Sequence, residues 1–368
     1  MTPWLDWDDA YRGILLVFWG ISSLPKGVDL LIAGGGRFTS GPFFDMVDVL
    51  VVMPNLLSRF FPRSRPRLSY IYSQDYWMWP AGKHVFPVKK YRLLHERLAA
   101  RGARGEDFLR PHLPPDKDLF LVHTPKYIHK LKTGGLSQAE IMTLELPFSA
   151  DLVKFAQLTV GGTILTSQEA LRRGLALHIG GGFHHAFPDH GEGFCLLNDV
   201  AVALLKLKVE RRIAKAMIVD CDLHHGNGTA AIFAKEKSVL TFSIHQMDAY
   251  PADKPPSSVD VGLWAGDGDE EYLAALKAHL PRLYFDFGPD IIFYLAGADP
   301  FGEDRLGGLK LTKEGLRERD RVVIENARRL RIPVAVVLAG GYAAELEDVV
   351  DIHLNTVSVA ARVLRRFS

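Results

Sequence analysis

Short apolar runs that alternate with helix-period segments most constrain what this chain can fold into. From Leu68 onward the runs fall at residues 69–72, 175–179, 216–221, 238–244, 290–295 and 333–338. Within the last two, the stretches IIFYL and VAVVL are apolar at every position. A strand with one wet face alternates apolar and polar residues, so uninterrupted runs belong to strands covered on both faces. Helical patterns occupy 151–173, 196–209, 270–284, 312–330 and 345–366, with Thr312 as an N-cap and Gly174 as a C-terminal stop. This alternation predicts an α/β fold: a parallel sheet flanked by helices on both faces.

Polar clusters follow those runs directly. LALHI leads into Gly180-Gly181-Gly182-Phe183-His184-His185, and AMIVDC into Asp222-Leu223-His224-His225-Gly226-Asn227-Gly228. His245 follows VLTFSI, Gly297-Ala298-Asp299 follows FYLA, and Gly340-Gly341-Tyr342 follows VAVVLA. Open α/β sheets bind ligands outside the carboxyl ends of their strands. One histidine there is usually a packed core residue; a set of His, Asp and Tyr behind glycines at several strand ends points to a site.

The chemistry follows from the residue types. Asp220, Asp222 and His224 are spaced two apart and share one face if strand geometry persists to that point. Asp222 and His224 can then ligate one metal, with Asp299 arriving from another strand end. One imidazole and two carboxylates suit Zn²⁺ and leave a position open, while the hard carboxylates also admit Fe²⁺, Mn²⁺ or Co²⁺. Such a metal answers both difficulties of amide hydrolysis, a poor electrophile and a poor nucleophile. His184 and His185 can move the proton, and Tyr342 can donate to the developing oxyanion.

Composition narrows the remaining classes. With 44 Lys and Arg against 43 Asp and Glu, the formal net charge is +1, so direct nucleic-acid binding has no electrostatic support. The two cysteines, Cys195 and Cys221, make no disulfide framework and fit a reducing compartment, which predicts a cytoplasmic protein. Residues 1–66 read as an N-terminal extension of open role, and 67–368 as the catalytic domain. The extension's apolar segment GILLVFWGISSL is too short to span a membrane and is expected to give at most a weak membrane association. Its triplet Gly34–Gly36 lacks the Lys-Ser/Thr of a phosphate loop.

Taken together, GGFHHA at 181–186, GFCLLND at 193–199, DCDLHHGNG at 220–228, GAD at 297–299 and GGY at 340–342 resemble the histone deacetylase superfamily. The resemblance runs from about Leu68 to the C-terminus and includes HTPKYIHKL at 123–131 and the segment His84-Val85-Phe86-Pro87. QMDAYPADK and GEDRLGGL look most like the class IV branch and its bacterial relatives. The resemblance implies an arginase/deacetylase-like fold and a hydrolase of linear amides with a narrow tunnel to one zinc. It implies Asp222, His224 and Asp299 as zinc ligands, and His185 as general base and acid. His184 would be its electrostatic partner, oriented by Asp220, and Tyr342 the oxyanion donor. Gly193 and Phe194 would line the tunnel, with Tyr250. A structural K⁺ would sit beside the zinc, bound by Asp220, Asp222, His224, Ser243 and Ile244, some through backbone carbonyls. Asn227 would orient His185 where class I members carry Asp; a neutral amide favours the imidazolium less than a carboxylate does.

Three functions fit this pattern: a deacylase of acyl-lysine proteins, a hydrolase of small acylated amines such as acetylpolyamines, and a non-catalytic metal-containing binder. The complete set of ligands, His pair and Tyr342 weighs against the third. Polyamine-selective relatives carry a Glu gatekeeper, and counting seven on from Asp299 reaches Leu306, which offers no charge to a polyamine. The residues therefore favour acyl-lysine.

Overall fold

The computed structural model describes residues 67–79, 82 and 84–367, together with the backbone of Leu30–Ile32 and Gly36–Phe38. Those two short N-terminal segments pair antiparallel, so Gly36 opens a strand and not a helix N-terminus. The segment GILLVFWGISSL and the rest of 1–66 lie outside the described residues.

Within 67–367, eight described strands form one sheet: β1 Ser69–Ile71, β2 Phe108–Leu109, β3 Leu175–His178, β4 Ala216–Asp220, β5 Val239–Gln246, β6 Val259–Leu263, β7 Ile291–Leu295 and β8 Val334–Val337. Their order is β2-β1-β3-β8-β7-β4-β5-β6, and every pairing is parallel. All residues of β3, β4, β7 and β8 are buried, as the continuous apolar runs require of strands covered on both faces. Helices pack in two groups. Ala150–Arg173 lies against Asp199–Val209 and Pro125–Thr133; Asp269–Phe287, Lys313–Arg329, Leu346–Arg366 and Lys89–Ala100 follow one another in contact.

The elements read from sequence are present, with shifts that have local causes. Thr312 accepts from the Gly315 N–H as an N-cap, and Gly174 ends its helix at φ 87°. The helix expected from residue 196 starts at Asp199, because the Asn198 side chain caps the Ala201 N–H. The edge strands β2 and β6 were not anticipated. β2 is two residues long, and β6 alternates half-buried and exposed positions, so neither offers a continuous apolar run. The helices Lys89–Ala100, Pro125–Thr133 and Gln138–Leu144 also lie outside the expected set.

One buried charge ties the fold to the strand ends. Arg319 is fully buried and donates from Nη1 to the carbonyls of Gly297 (2.6 Å) and Cys221 (3.2 Å). Asp320 accepts from Arg319 Nη2 at 2.8 Å, from Tyr294 at 2.5 Å and from Thr356 at 2.6 Å. The segments carrying Asp222 and Asp299 are therefore clamped from behind by a guanidinium whose own charge is paired.

Candidate metal and catalytic site

The expectation that strand geometry carries Asp220, Asp222 and His224 on one face is corrected by the structure. β4 stops at Asp220, and the next residues turn. The turn is stitched by its own side chains: the Asp222 N–H donates to Asp220 Oδ1 and the His224 N–H to Asp222 Oδ1, both at 3.1 Å. Two further contacts draw the other strand ends in. The Leu223 N–H donates to Asp299 Oδ1 and the Gly340 N–H to Asp222 Oδ2, both at 3.0 Å. Gly340 must be glycine, since a Cβ there would collide with Asp299 Oδ2.

Asp222, His224 and Asp299 are all buried, and one ligand atom from each lies within 4.8 Å of the others. His224 Nδ1 sits 3.2 Å from Asp222 Oδ1 and 3.3 Å from Asp299 Oδ2. Asp299 Oδ2 is buried without a hydrogen-bond partner. Burial, and then the Asp222 carboxylate, push the Asp299 carboxyl up to about 7. Two converging buried carboxylates with an orphaned oxygen fit a divalent cation, which would satisfy both the lone pairs and the charge. Among the described residues a second group, His225, His245 and Asp260, also converges. There Asp260 already accepts from the Ser257 N–H at 2.9 Å and sits 3.3 Å from His225 Nε2.

Beside the first group stands the histidine pair. His184 Nδ1 lies 2.7 Å from Asp220 Oδ2, His185 Nδ1 2.7 Å from Asn227 Oδ1, and the two Nε2 atoms 3.1 Å apart. Burial alone would strip His184 of its proton, but the Asp220 and Asp222 carboxylates outweigh it and hold the ring up to about 9. Burial pushes His185 well below its ordinary value, and the neighbouring charges of His184 and His224 push the same way. These opposite shifts favour a cationic His184 beside a neutral His185, an arrangement that can serve acid–base chemistry.

Both histidines line a cavity of about 180 Å³ together with Asp222, His224, Tyr342, Gly193, Phe194, Tyr250 and Leu306. Tyr342 packs against Phe194 and Phe86, with ring centroids 5.8 and 6.5 Å apart. Burial, then the Asp222 and Asp299 carboxylates, hold its phenol well above the ordinary value, so the hydroxyl stays a donor. Phe194 adopts φ 68°, a conformation costing on the order of 1–3 kcal/mol for a non-glycine residue. Its N–H donates to the Leu144 carbonyl at 2.9 Å, which helps hold the strained wall. Of the residues expected at a potassium, Asp220 and Ser243 are register partners on β4 and β5, with Ile244 next to them and fully buried.

Several residues at the site carried no role in the sequence reading. Asp199 accepts from the N–H groups of Gly182 (3.1 Å) and Phe183 (2.8 Å) and so shapes the turn before the histidine pair. Asp304 accepts from the N–H groups of Tyr342 (2.6 Å) and Leu306 (2.9 Å), linking two residues of the cavity wall. Lys90 is buried on the cavity, donates to the Ala339 carbonyl at 2.6 Å, and is lowered to about 8 by burial. Glu145 also lines the cavity and is itself exposed. Asp199 and Asp304 lie in the motif stretches; Lys90 had no signal at all.

A parallel α/β sheet with a two-carboxylate, one-imidazole cluster and a histidine pair at its carboxyl edge defines an arginase/deacetylase-like hydrolase. Residues 84–357 match the histone deacetylase domain model, and the chain belongs to the histone deacetylase family, hydrolases that act on amides. It is 42% identical over 284 residues to an uncharacterized protein of Picosynechococcus sp., covering 77% of this chain and 95% of that one. Histone deacetylase 2 of Arabidopsis thaliana is 30% identical over 305 residues, 79% of each chain. The crystal structure of the HDA15 HD domain superposes with a TM-score of 0.67 over 81% of this chain and 89% of that chain; at 24% identity this likeness speaks for the fold.

Proposed function

We propose that this protein is a zinc-dependent deacylase that removes acetyl or longer acyl groups from lysine side chains. The observation that carries this reading is the convergence of Asp222, His224, His184, His185 and Tyr342 on one aromatic-walled cavity, with Asp299 buried against the first two. At about 180 Å³ the cavity is below the ~300–1,000 Å³ of pockets for drug-sized ligands, and so suits a slender acylated chain. A cation held by Asp222, His224 and Asp299 would polarise the acyl carbonyl and acidify water. His185, kept neutral, takes the proton of the attacking water and returns it to the leaving amine. His184, charged and paired with Asp220, supplies positive charge beside it. Tyr342 donates to the oxyanion. A structural K⁺ at Asp220, Asp222, His224, Ser243 and Ile244 belongs to the same proposal.

The deciding assay measures turnover of acyl-lysine peptides of graded acyl length and of acylated polyamines, with and without a chelator. Turnover of peptides that the chelator abolishes is expected; no turnover of any acyl amide would leave only a binder. Hydrolysis of a small acylated amine is the second reading, favoured by the Glu145 carboxylate on the cavity, which could meet a distal ammonium.

Leu306 gives a way to weigh the two, because it is a half-buried apolar residue on the cavity. Leu306→Glu should raise kcat/KM on an acetylated polyamine by less than about tenfold, since an exposed ion pair contributes only about 0.2–1 kcal/mol. Activity on a neutral acyl-lysine peptide should fall or stay flat, and the gain should shrink at high salt. An unchanged ratio of the two substrates removes Leu306 from selectivity.

The division into an extension, 1–66, and a catalytic domain, 67–368, is also proposed here. It predicts that deleting 1–66 leaves a folded deacylase with kcat/KM close to that of the full chain. Aggregation of the truncated protein with loss of activity would show that the segment belongs to the core.

A further inference from the structure

Five side chains, two on the cavity wall and three behind it, form one hydrogen-bonded line whose direction is set from its ends. Glu192 Oε1 accepts from Asn227 Nδ2 at 2.7 Å, and Asn227 Oδ1 faces His185 Nδ1 at 2.7 Å. His185 Nε2 meets His184 Nε2 at 3.1 Å, and His184 Nδ1 meets Asp220 Oδ2 at 2.7 Å. A carboxylate only accepts, so Glu192 turns the Asn227 NH₂ towards itself and the amide oxygen towards His185. An amide oxygen also only accepts, so His185 Nδ1 must carry that ring's proton and Nε2 keeps its lone pair. His184 then donates from both nitrogens, to His185 and to Asp220, and is the imidazolium of the pair. Tyr250 donates to the same Glu192 oxygen at 2.8 Å, and His190 Nε2 lies 3.6 Å from Glu192 Oε2, which holds the carboxylate in place.

We propose that Glu192 is a positioning residue that locks the Asn227 amide, places the His185 proton on Nδ1, and so keeps Nε2 available as the base. Without an acceptor-only partner the amide can turn over. Its NH₂ would then face His185 Nδ1, the ring proton would move to Nε2, and that N–H would point at the N–H of His184. The neutral Asn227 thus works only together with a second side chain that fixes which way round it sits. The proposal rests on the base role given to His185 above, but its first readout does not depend on turnover.

Glu192→Gln keeps the volume and an acceptor but adds a competing donor, so the amide loses its single orientation. In ¹⁵N-histidine-labelled protein, His185, assigned by its loss in His185→Gln, should show the neutral Nδ1–H tautomer. In Glu192→Gln that signature should shift towards Nε2–H. In the deacylation assay kcat should fall about 10–100-fold with KM within about twofold, the usual size for removing a partner that orients an active-site imidazole. The sign should change in an Asn227→Asp background. A carboxylate there needs no orienting and is repelled by Glu192, so adding Glu192→Gln should leave kcat unchanged or raise it. An unmoved His185 tautomer in Glu192→Gln, or an equal loss of kcat in both backgrounds, would overturn the proposal. A tautomer shift in a protein that hydrolyses no acyl amide would instead refute the deacylase reading and leave the positioning role standing.

Discussion

Replacing Asp299 by alanine should remove both the metal and the activity. The residue is fully buried, and its Oδ2 has no hydrogen-bond partner, with only the His224 ring of the same cluster 3.3 Å away. Loss of a ligand from a three-ligand site forfeits the Lewis-acid contribution of several kcal/mol, which corresponds to more than about 10³-fold in kcat/KM. Asp299→Asn separates this from misfolding, because Asn retains an oxygen for the Leu223 N–H that Asp299 Oδ1 now holds at 3.0 Å. Added Zn²⁺ should raise the Tm of the metal-depleted wild type, through binding to the folded state alone, and should not raise that of Asp299→Asn. The measurements are elemental analysis, thermal melting with and without Zn²⁺, and kcat/KM. Full metal occupancy with normal turnover in either variant would remove Asp299 from the site.

Tyr342→Phe should cost about 10²–10³ in kcat, the value of about 3–4 kcal/mol for one oxyanion donor. The substitution deletes only the hydroxyl. The phenylalanine ring can still pack against Phe86 and Phe194, and the backbone N–H still donates to Asp304. Metal content and Tm should therefore stay as in the wild type. A contact made only in the transition state lowers kcat and kcat/KM equally, so KM should hardly move. A rise in KM with unchanged kcat would instead make Tyr342 a substrate-binding wall.

These two expectations differ in how they could be reached. Asp299 and Tyr342 both stand directly after apolar runs, in Gly-Ala-Asp and Gly-Gly-Tyr, and the sheet brings those ends together because parallel strands all finish on one edge. The central strands were legible for the same reason. Burial on both faces demands unbroken apolar residues, and that demand is written locally in residues 216–219 of β4 and throughout β7 and β8. The His184–Asp220 pair was equally within reach, since its members flank the chemistry in the motifs themselves.

Other parts of the site have no such local record. Lys89 and Lys90 are adjacent and chemically alike, yet Lys89 is exposed and Lys90 is buried with its ammonium on the Ala339 carbonyl. Arg319 lies in a helix rich in charge, and only the packing of that helix places its guanidinium on the carbonyls of Cys221 and Gly297. Glu192 and Asn227 are 35 residues apart, and their 2.7 Å contact exists because the loop after β3 meets the start of the helix Asn227–Phe233 that follows β4. The turn at Asp222 also departed from strand geometry, because hydrogen bonds from Leu223 and Gly340 to carboxylates on other segments pull the chain around. By itself, then, the sequence determined the central strands, the long helices and the polar residues that gather at the strand ends, because hydrophobic period and residue chemistry act over a few neighbouring positions. Only the tertiary structure decided which buried charges face the cavity and which way its hydrogen bonds run, because those depend on partners that the chain brings together from far apart.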